Sequence, residues 1–166
     1  MPPRLRSRLL AFAFAAFVFG CAVNNAPAAL DGPTPRKHQR AHPKPTVGDR
    51  AARIALRAVG VPYRWGGSSP ASGFDCSGLV YWAYGRVGIE LPHSSYALYG
   101  EGRHVARTRM RPGDLVFFSG LGHVGVYLGH GRMVHAPHSG RLVEVVSLGH
   151  SNYGSRLVGA RRIGPA

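Results

Sequence analysis

The sequence predicts an α+β domain whose helices pack on an antiparallel sheet. Three observations point there. Two helical patterns come early, short β-rich segments joined by glycine turns come late, and the length suits one domain. The chain has 166 residues, against about 100–150 for a typical domain. Hydrophobic residues at 45% and aromatics at 10% suffice for a packed core and argue against a largely disordered chain. Helices followed by hairpin-linked strands are the α+β pattern.

The first segment reads as an export signal. Arg4, Arg6 and Arg8 precede an apolar run from Leu9 to Gly20. That run is shorter than the ~20 residues a spanning helix needs. A buried core helix is the alternative, but three arginines in front and no polar face argue against it. Two processing routes fit. Ala26-Pro27-Ala28 resembles a cleavage site, making residues 1–28 the signal and releasing a chain that starts near Ala29. Val18 to Cys21 instead resembles a lipobox, although Phe19 is large for its position; the signal would then end at residue 20, with Cys21 lipidated and tied to a membrane face. Both routes place the mature protein in the bacterial envelope or beyond it. Residues 29–46 form a linker, because Pro33, Pro35, Pro43 and Pro45 block helix and sheet. Residues 47–166 form the domain, and no internal repeat is visible.

Within the domain, Gly48 to Val59 reads as a helix with Ala52, Ile54, Ala55 and Ala58 on its apolar face. Asp49 suits the first turn and Gly60 the stop. A Gly/Ser/Pro-rich loop follows, from Val61 to Gly73. Phe74-Asp75-Cys76-Ser77-Gly78 opens a second helix to about Val87, with Leu79, Val80, Trp82 and Ala83 inward. Leu91 to Arg111 is polar, and Arg111-Pro112-Gly113-Asp114 is a turn. Strands are expected at Leu115–Phe118, His123–Leu128, Met133–Ala136, Leu142–Val146 and Arg156–Ile163. Gly129-His130-Gly131 turns the central hairpin.

The two cysteines exclude a disulfide-dense scaffold and a four-cysteine metal site. With Cys21 lost or acylated, Cys76 is the domain's one thiol. It is either a small buried core residue or a nucleophile. Three features favour the nucleophile. It falls at a helix start, where backbone N–H groups and the dipole stabilise a thiolate. Asp75, Ser77 and Gly78 are small or polar company. His123 and His135 fall on adjacent strands of one hairpin, with the glycine turn near the midpoint between them, so their side chains can share a sheet face. One imidazole can take the thiol proton while the other orients it, giving a thiolate–imidazolium pair at neutral pH.

Residues 61–80, Val-Pro-Tyr-Arg-Trp-Gly-Gly-Ser-Ser-Pro-Ala-Ser-Gly-Phe-Asp-Cys-Ser-Gly-Leu-Val, closely resemble the NlpC family of cell-wall endopeptidases. So do Arg111 to Phe118, His123 to Gly129, and Met133 to Ala136. The likeness covers most of residues 48–163, in the family's order. It implies a papain-like fold and cysteine peptidase activity on peptidoglycan stems, usually at the bond between D-glutamate and a diamino acid. It assigns Cys76 as nucleophile, His123 as general base and His135 as orienting residue. It also brings the Tyr63 hydroxyl to the site, where a phenol can support the thiolate or the oxyanion alongside the Cys76 N–H.

Asp75 is either a helix-capping charge or a binder of the substrate's amine. Ser77 assists that recognition or merely tolerates the helix start. Trp65 is expected to pack beside the site, with Gly66 and Gly67 allowing a tight turn and a close ligand approach. His93 and Ser95 resemble a groove-lining segment, but Leu98 stands where the family pattern leads one to expect a polar residue. An amidase using the same three residues and an inactive wall-binding module are the competing functions; the presence of Cys76, His123 and His135 counts against the second.

No cofactor is expected. No metal is expected either, since no short His-x₃-His or Cys-x₂-Cys pair occurs. His104, His130, His138 and His150 read as loop residues. The formal charge is +14, with 21 Lys+Arg against 7 Asp+Glu. Export and the lack of a basic helix or nucleic-acid motif argue against a nucleic-acid partner. The charge then suits an anionic envelope. Peptidoglycan is the expected partner, membrane attachment through Cys21 is the second, and the protein is expected to be a monomer.

Overall fold

The computed structural model describes residues 44–164. The export signal, Cys21 and linker residues 29–43 lie outside the described residues. In chain order the elements are α1 (Val47–Leu56), β1 (Ser68–Ser69), β2 (Gly73–Phe74), α2 (Cys76–Gly85), α3 (Ser95–Gly100) and β3 (Arg103–His104). A 3₁₀ turn (Arg107–Arg109) precedes β4 (Leu115–Phe118), β5 (Val124–Gly129), β6 (Arg132–His135), β7 (Glu144–Ser147), α4 (Tyr153–Arg156) and β8 (Leu157–Arg162). The main sheet runs β3-β8-β4-β5-β6-β7, and every neighbouring pair is antiparallel. Strands β1 and β2 form a separate small hairpin. This is the α+β arrangement that the sequence pattern predicts.

Helix α1 starts one residue earlier than expected because Thr46 caps it. The Thr46 hydroxyl accepts from the Asp49 N–H at 3.1 Å, and the Asp49 carboxylate accepts from the Thr46 N–H at 2.8 Å. This reciprocal pair satisfies two otherwise orphaned donors. The helix ends at Leu56, and the chain turns through residues 57–60 to Gly60 at φ +90°. Its buried face is Ala51, Ala52 and Ala55, with Ala58 following, while Ile54 is only half-buried.

Strand β4 is buried along its whole length because both faces of the sheet are covered. Leu115 and Phe117 pack with Ala51, Ala55, Leu79, Val80 and Tyr84 from the helices. Val116 and Phe118 face the other way, into a cluster with Val105, Tyr127, Met133 and Ala160. Two-sided burial makes the strand read as a continuous apolar run. The central hairpin turns at Gly129, His130 and Gly131, all at positive φ. Helices α3 and α4, the 3₁₀ turn and the short β3 fall in segments whose polarity hid them. Helix α3 has six residues, too few to display a helical period.

The turn at residues 111–114 ties the helices to the sheet. Gly113 lies at φ +93°, and a Cβ there would stand 2.2 Å from the Gly48 Cα. Asp114, 1% exposed, holds the turn. Its Oδ2 accepts from the Arg111 N–H at 2.7 Å, and both its oxygens accept from Arg162 of β8 at 2.7 Å. Removing one partner of a buried, bidentate ion pair strands the other charge. Because Arg162 keeps some access to solvent, Asp114→Ala is expected to lower unfolding free energy by about 1–3 kcal/mol, read as an earlier midpoint in urea denaturation.

Candidate active site

Asp75 organises the start of α2. It is the N-cap, in extended backbone conformation, and its Oδ1 accepts from the Gly78 N–H (2.6 Å), the Ser77 hydroxyl (3.0 Å) and His93 Nε2 (2.9 Å). Its Oδ2 accepts from the Gly66 N–H at 2.8 Å. Burial alone would raise the pKa of this carboxyl, but the donors from Gly78, His93 and Gly66 outweigh it and hold the pKa below the ordinary carboxylate value. Gly78 is required here, since a Cβ would stand 2.0 Å from the Gly67 carbonyl oxygen. The 64–67 loop is thus seated on the first turn of α2, and Cys76 is that turn's first residue.

Cys76 is half-buried, its Sγ 4.0 Å from the Gly122 carbonyl oxygen. Across from it, His123 precedes β5 and His135 ends β6. Their rings meet at 2.8 Å, His123 Nε2 to His135 Nδ1, with the ring planes 81° apart. Tyr153 of α4 stacks on His123 (26° between planes) and meets His135 edge-on (80°), while Phe118 lies beside His123. Both imidazoles therefore sit in an aromatic box. The far nitrogen of His135, Nε2, has no hydrogen-bond partner among the described residues. The nearest carboxylate is Glu144 on the neighbouring strand, 3.8 Å away, with its other oxygen held by Arg141 at 2.7 Å.

Burial sets the protonation of the site. It pushes the Cys76 thiol pKa up, helped by the Asp75 charge, although backbone N–H groups of Val124, Ser77 and Cys76 pull the other way. It pushes His123 down to about 4, with His135 adding to the effect, and His135 down to about 4, with Arg141 and His138 contributing. Burial thus favours a thiol and two neutral imidazoles. The same desolvation weighs against a standing thiolate–imidazolium pair, since it penalises both charges. What the arrangement offers is a thiol and a neutral imidazole on the wall of one cavity, the parts that a nucleophile–base pair requires.

A cavity of about 530 Å³ opens over Cys76. It gathers Tyr63, Trp65, Asp75, Ser77, His93, Ser95 and His123, all singled out from the sequence, and only His135 stands behind the wall. Several of these residues differ from expectation. Trp65 stands beside the site but is not packed: it is 89% exposed and forms a free-standing rim of the cavity. Gly67 is approached by backbone, with a Cβ there 2.5 Å from the Gly73 carbonyl oxygen. Ser77 is buried and donates its hydroxyl to Asp75. His93 is bonded to the same carboxylate and stacks on Tyr81. Asp75 therefore fills the capping role, and its Oδ2 alone has spare acceptor capacity. Burial raises the pKa of Tyr63, with the Cys76 and Asp75 charges adding to it.

Leu98 points into the core, fully buried, and Tyr96 lines the cavity instead. Tyr96, Gly122, Pro137, Tyr153 and Glu144 escaped sequence reasoning. Of these only Glu144 left a signal: the register pairs it with His135 once β6 and β7 are laid side by side.

The likeness to known proteins follows this geometry. The NlpC/P60 family model matches residues 60–162, spanning the α2 start, the hairpin and β8. The chain is 40% identical over 126 residues to the murein DD-endopeptidase MepH of Escherichia coli, covering 69% of this chain and 46% of that protein. It is 38% identical over 138 residues to the peptidoglycan endopeptidase RipA of Mycobacterium tuberculosis, covering 74% of this chain and 28% of that protein. The chain thus spans less than half the length of these two curated relatives. Among solved structures, the NlpC/p60 domain of the peptidoglycan hydrolase SagA superposes with a TM-score of 0.63 at 31% identity, covering 70% of this chain and 98% of that one. A family match over most of the described residues, with a thiol at a helix start facing a histidine pair, means that this chain belongs to the NlpC/P60 family.

Proposed function

We propose that this chain is a thiol endopeptidase that hydrolyses peptide stems of bacterial peptidoglycan at the D-glutamyl–diamino acid bond. The observation that carries the proposal is the single cavity that unites Cys76, at the first residue of α2, with His123, itself hydrogen-bonded to His135. The relatives support the substrate class by their names, since MepH and RipA are endopeptidases of murein or peptidoglycan.

In this reading Cys76 is the nucleophile, His123 the base and His135 the orienting residue. His123 Nε2 is engaged by His135, which leaves Nδ1 to take the thiol proton as Sγ bonds to the scissile carbonyl carbon. The oxyanion that forms is held by the Cys76 N–H at the helix start, with Tyr63 as a second donor on the cavity wall. The intermediate collapses, the C–N bond breaks, and His123 returns the proton to the leaving amine. Water then attacks the thioester, giving its proton to His123 as the carboxyl product leaves and the thiol re-forms. Trp65, exposed at the rim, offers an apolar face to the stem. Asp75 engages the stem's amine only through Oδ2. Export to the envelope, by either processing route, brings enzyme and substrate together, and lipidation at Cys21 would hold the domain at the membrane.

Muropeptide digestion followed by mass spectrometry is expected to yield two peptide-bearing fragments split within the stem. Cys76→Ala and His123→Ala should each lower kcat by at least about 10³-fold with the fold intact. Products that separate the sugar from an intact stem would instead mark an amidase, and no cleavage by the wild-type chain would sink the assignment.

The protonation of the free site is separately testable. Because the thiol is raised and His123 lies near 4, alkylation of Cys76 by iodoacetamide should be slow at neutral pH and keep rising past the ordinary thiol range. Cleavage should fall only as pH drops through about 4, where His123 takes up a proton and ceases to be a base. A standing ion pair would instead give alkylation that is already maximal at neutral pH.

A further inference from the structure

Two contiguous cavities open at the other end of α2. One, of about 390 Å³, is lined by Val47, Tyr84 and Ile163 together with Arg103, Arg111 and Arg162. The other, of about 650 Å³, shares those three arginines and adds Arg109 and His104. Neither shares a lining residue with the Cys76 cavity. Tyr84 stands eight residues along α2 from Cys76, a rise of about 12 Å.

Three of the four arginines of this groove are uncompensated among the described residues. Asp114 is the only carboxylate lining it among the described residues, and Arg162 already neutralises Asp114. Asp49, next to the groove through Thr46, is turned onto the Thr46 N–H and hydroxyl. The guanidinium groups of Arg103, Arg109 and Arg111 have no ion-pair partner among the described residues. Arg103 also sits directly opposite Arg162 in the β3–β8 ladder, but Asp114 already compensates Arg162, so the unpaired charge at this end of the ladder is that of Arg103. The guanidinium fork suits both phosphate and carboxylate, so the unpaired cations of Arg103, Arg109 and Arg111 suit an anionic ligand.

We propose that this arginine groove is a second binding site, for the polyanionic polymer of the cell envelope. It grips phosphate or carboxylate groups while a stem of the same material enters the Cys76 cavity. The wall as source rests on the function proposed above, but binding is measurable without cleavage. The full chain carrying Cys76→Ala is sedimented with isolated bacterial cell walls across a salt series. Adding Arg103→Ala, Arg109→Ala and Arg111→Ala should weaken binding about tenfold at low salt and flatten its salt dependence. A control triple on the exposed arginines Arg53, Arg57 and Arg86, in or just after the helices, should bind as the parent does. Walls stripped of phosphate polymers separate the sources: loss of the difference assigns phosphate, and its persistence assigns stem carboxylates. In the chain with Cys76 intact, the groove triple should cleave small soluble muropeptides at an unchanged rate. Equal loss of wall binding by both triples, or by neither, overturns the proposal.

A different observation concerns Glu144, and it too rests on the proposed peptidase reading. If His123 keeps Nδ1 free as the base, its own proton is on Nε2 and is donated to His135 Nδ1. His135 must then carry its proton on Nε2, the buried nitrogen with no hydrogen-bond partner among the described residues, 3.8 Å from Glu144 Oε1. Arg141 pins the other oxygen of Glu144 at 2.7 Å, and the β6–β7 register places the residue opposite His135. We infer that Glu144 is a positioning residue that sets the tautomer of His135 and, through it, that of His123. Imidazole ¹⁵N NMR should show His135 protonated at Nε2 in the wild type and a mixed tautomer in Glu144→Ala. The same variant should lose about tenfold in kcat with little change in KM, while Glu144→Gln, which keeps an acceptor, should hold the tautomer. An unchanged His135 tautomer in Glu144→Ala overturns the inference, whatever the activity.

Discussion

The carboxylate of Asp75 is the interaction on which the site depends. One side chain receives donors from Gly66, Ser77, Gly78 and His93, and so joins the loop before α2, the first turn of α2 and the segment before α3. Each donor would otherwise be an unpaired polar group at a partly buried junction, and such groups are costly. Capping also decides where the helix begins. Because it begins at Cys76, the thiol sits among the free N–H groups of a helix N-terminus. The close seating of Gly67 on Gly78 follows from the same junction and leaves no room for a side chain.

Burial governs the chemistry on the facing wall. Phe118 and Tyr153 enclose the two histidines, and burial there favours neutral imidazoles and a protonated thiol. In the proposed mechanism such a neutral pair is a base in waiting: charge would appear only as the thiol attacks, with the groups that would stabilise it already in place. In that mechanism the helix N-terminus would serve the sulfur and oxyanion side, while Glu144 lies on the imidazole side. Preorganisation of this kind avoids reorganisation at the moment of reaction.

Helix α2 also separates two kinds of electrostatics. Its first turn holds the thiol in a cavity where charge is suppressed. Its last turn borders arginines whose charge is left in excess, beside the Asp114–Arg162 pair that closes the sheet onto α1. From residue 51 onward the domain carries 13 arginines against five acidic residues, and the fold collects four of those arginines at one groove.

Much of this molecule was legible in the residue order. The helix start at Cys76, the strand at Leu115–Phe118 and the Gly129-His130-Gly131 turn depend on local capping, burial and turn chemistry. The hairpin midpoint alone put His123 and His135 on one face. The chain order Cys76, His123, His135 and the motifs around them likewise carried the family. What only the tertiary structure decided involves residues distant in sequence. Tyr153 boxes the histidines from a short helix with no periodic signal, and Trp65 stands free where packing was expected. Leu98 turns inward and Tyr96 outward because six residues of helix are oriented by the core, not by their own pattern. The protonation of the site was beyond the sequence for the same reason: a pKa is set by how much water the fold removes, and that is a property of all the neighbours at once.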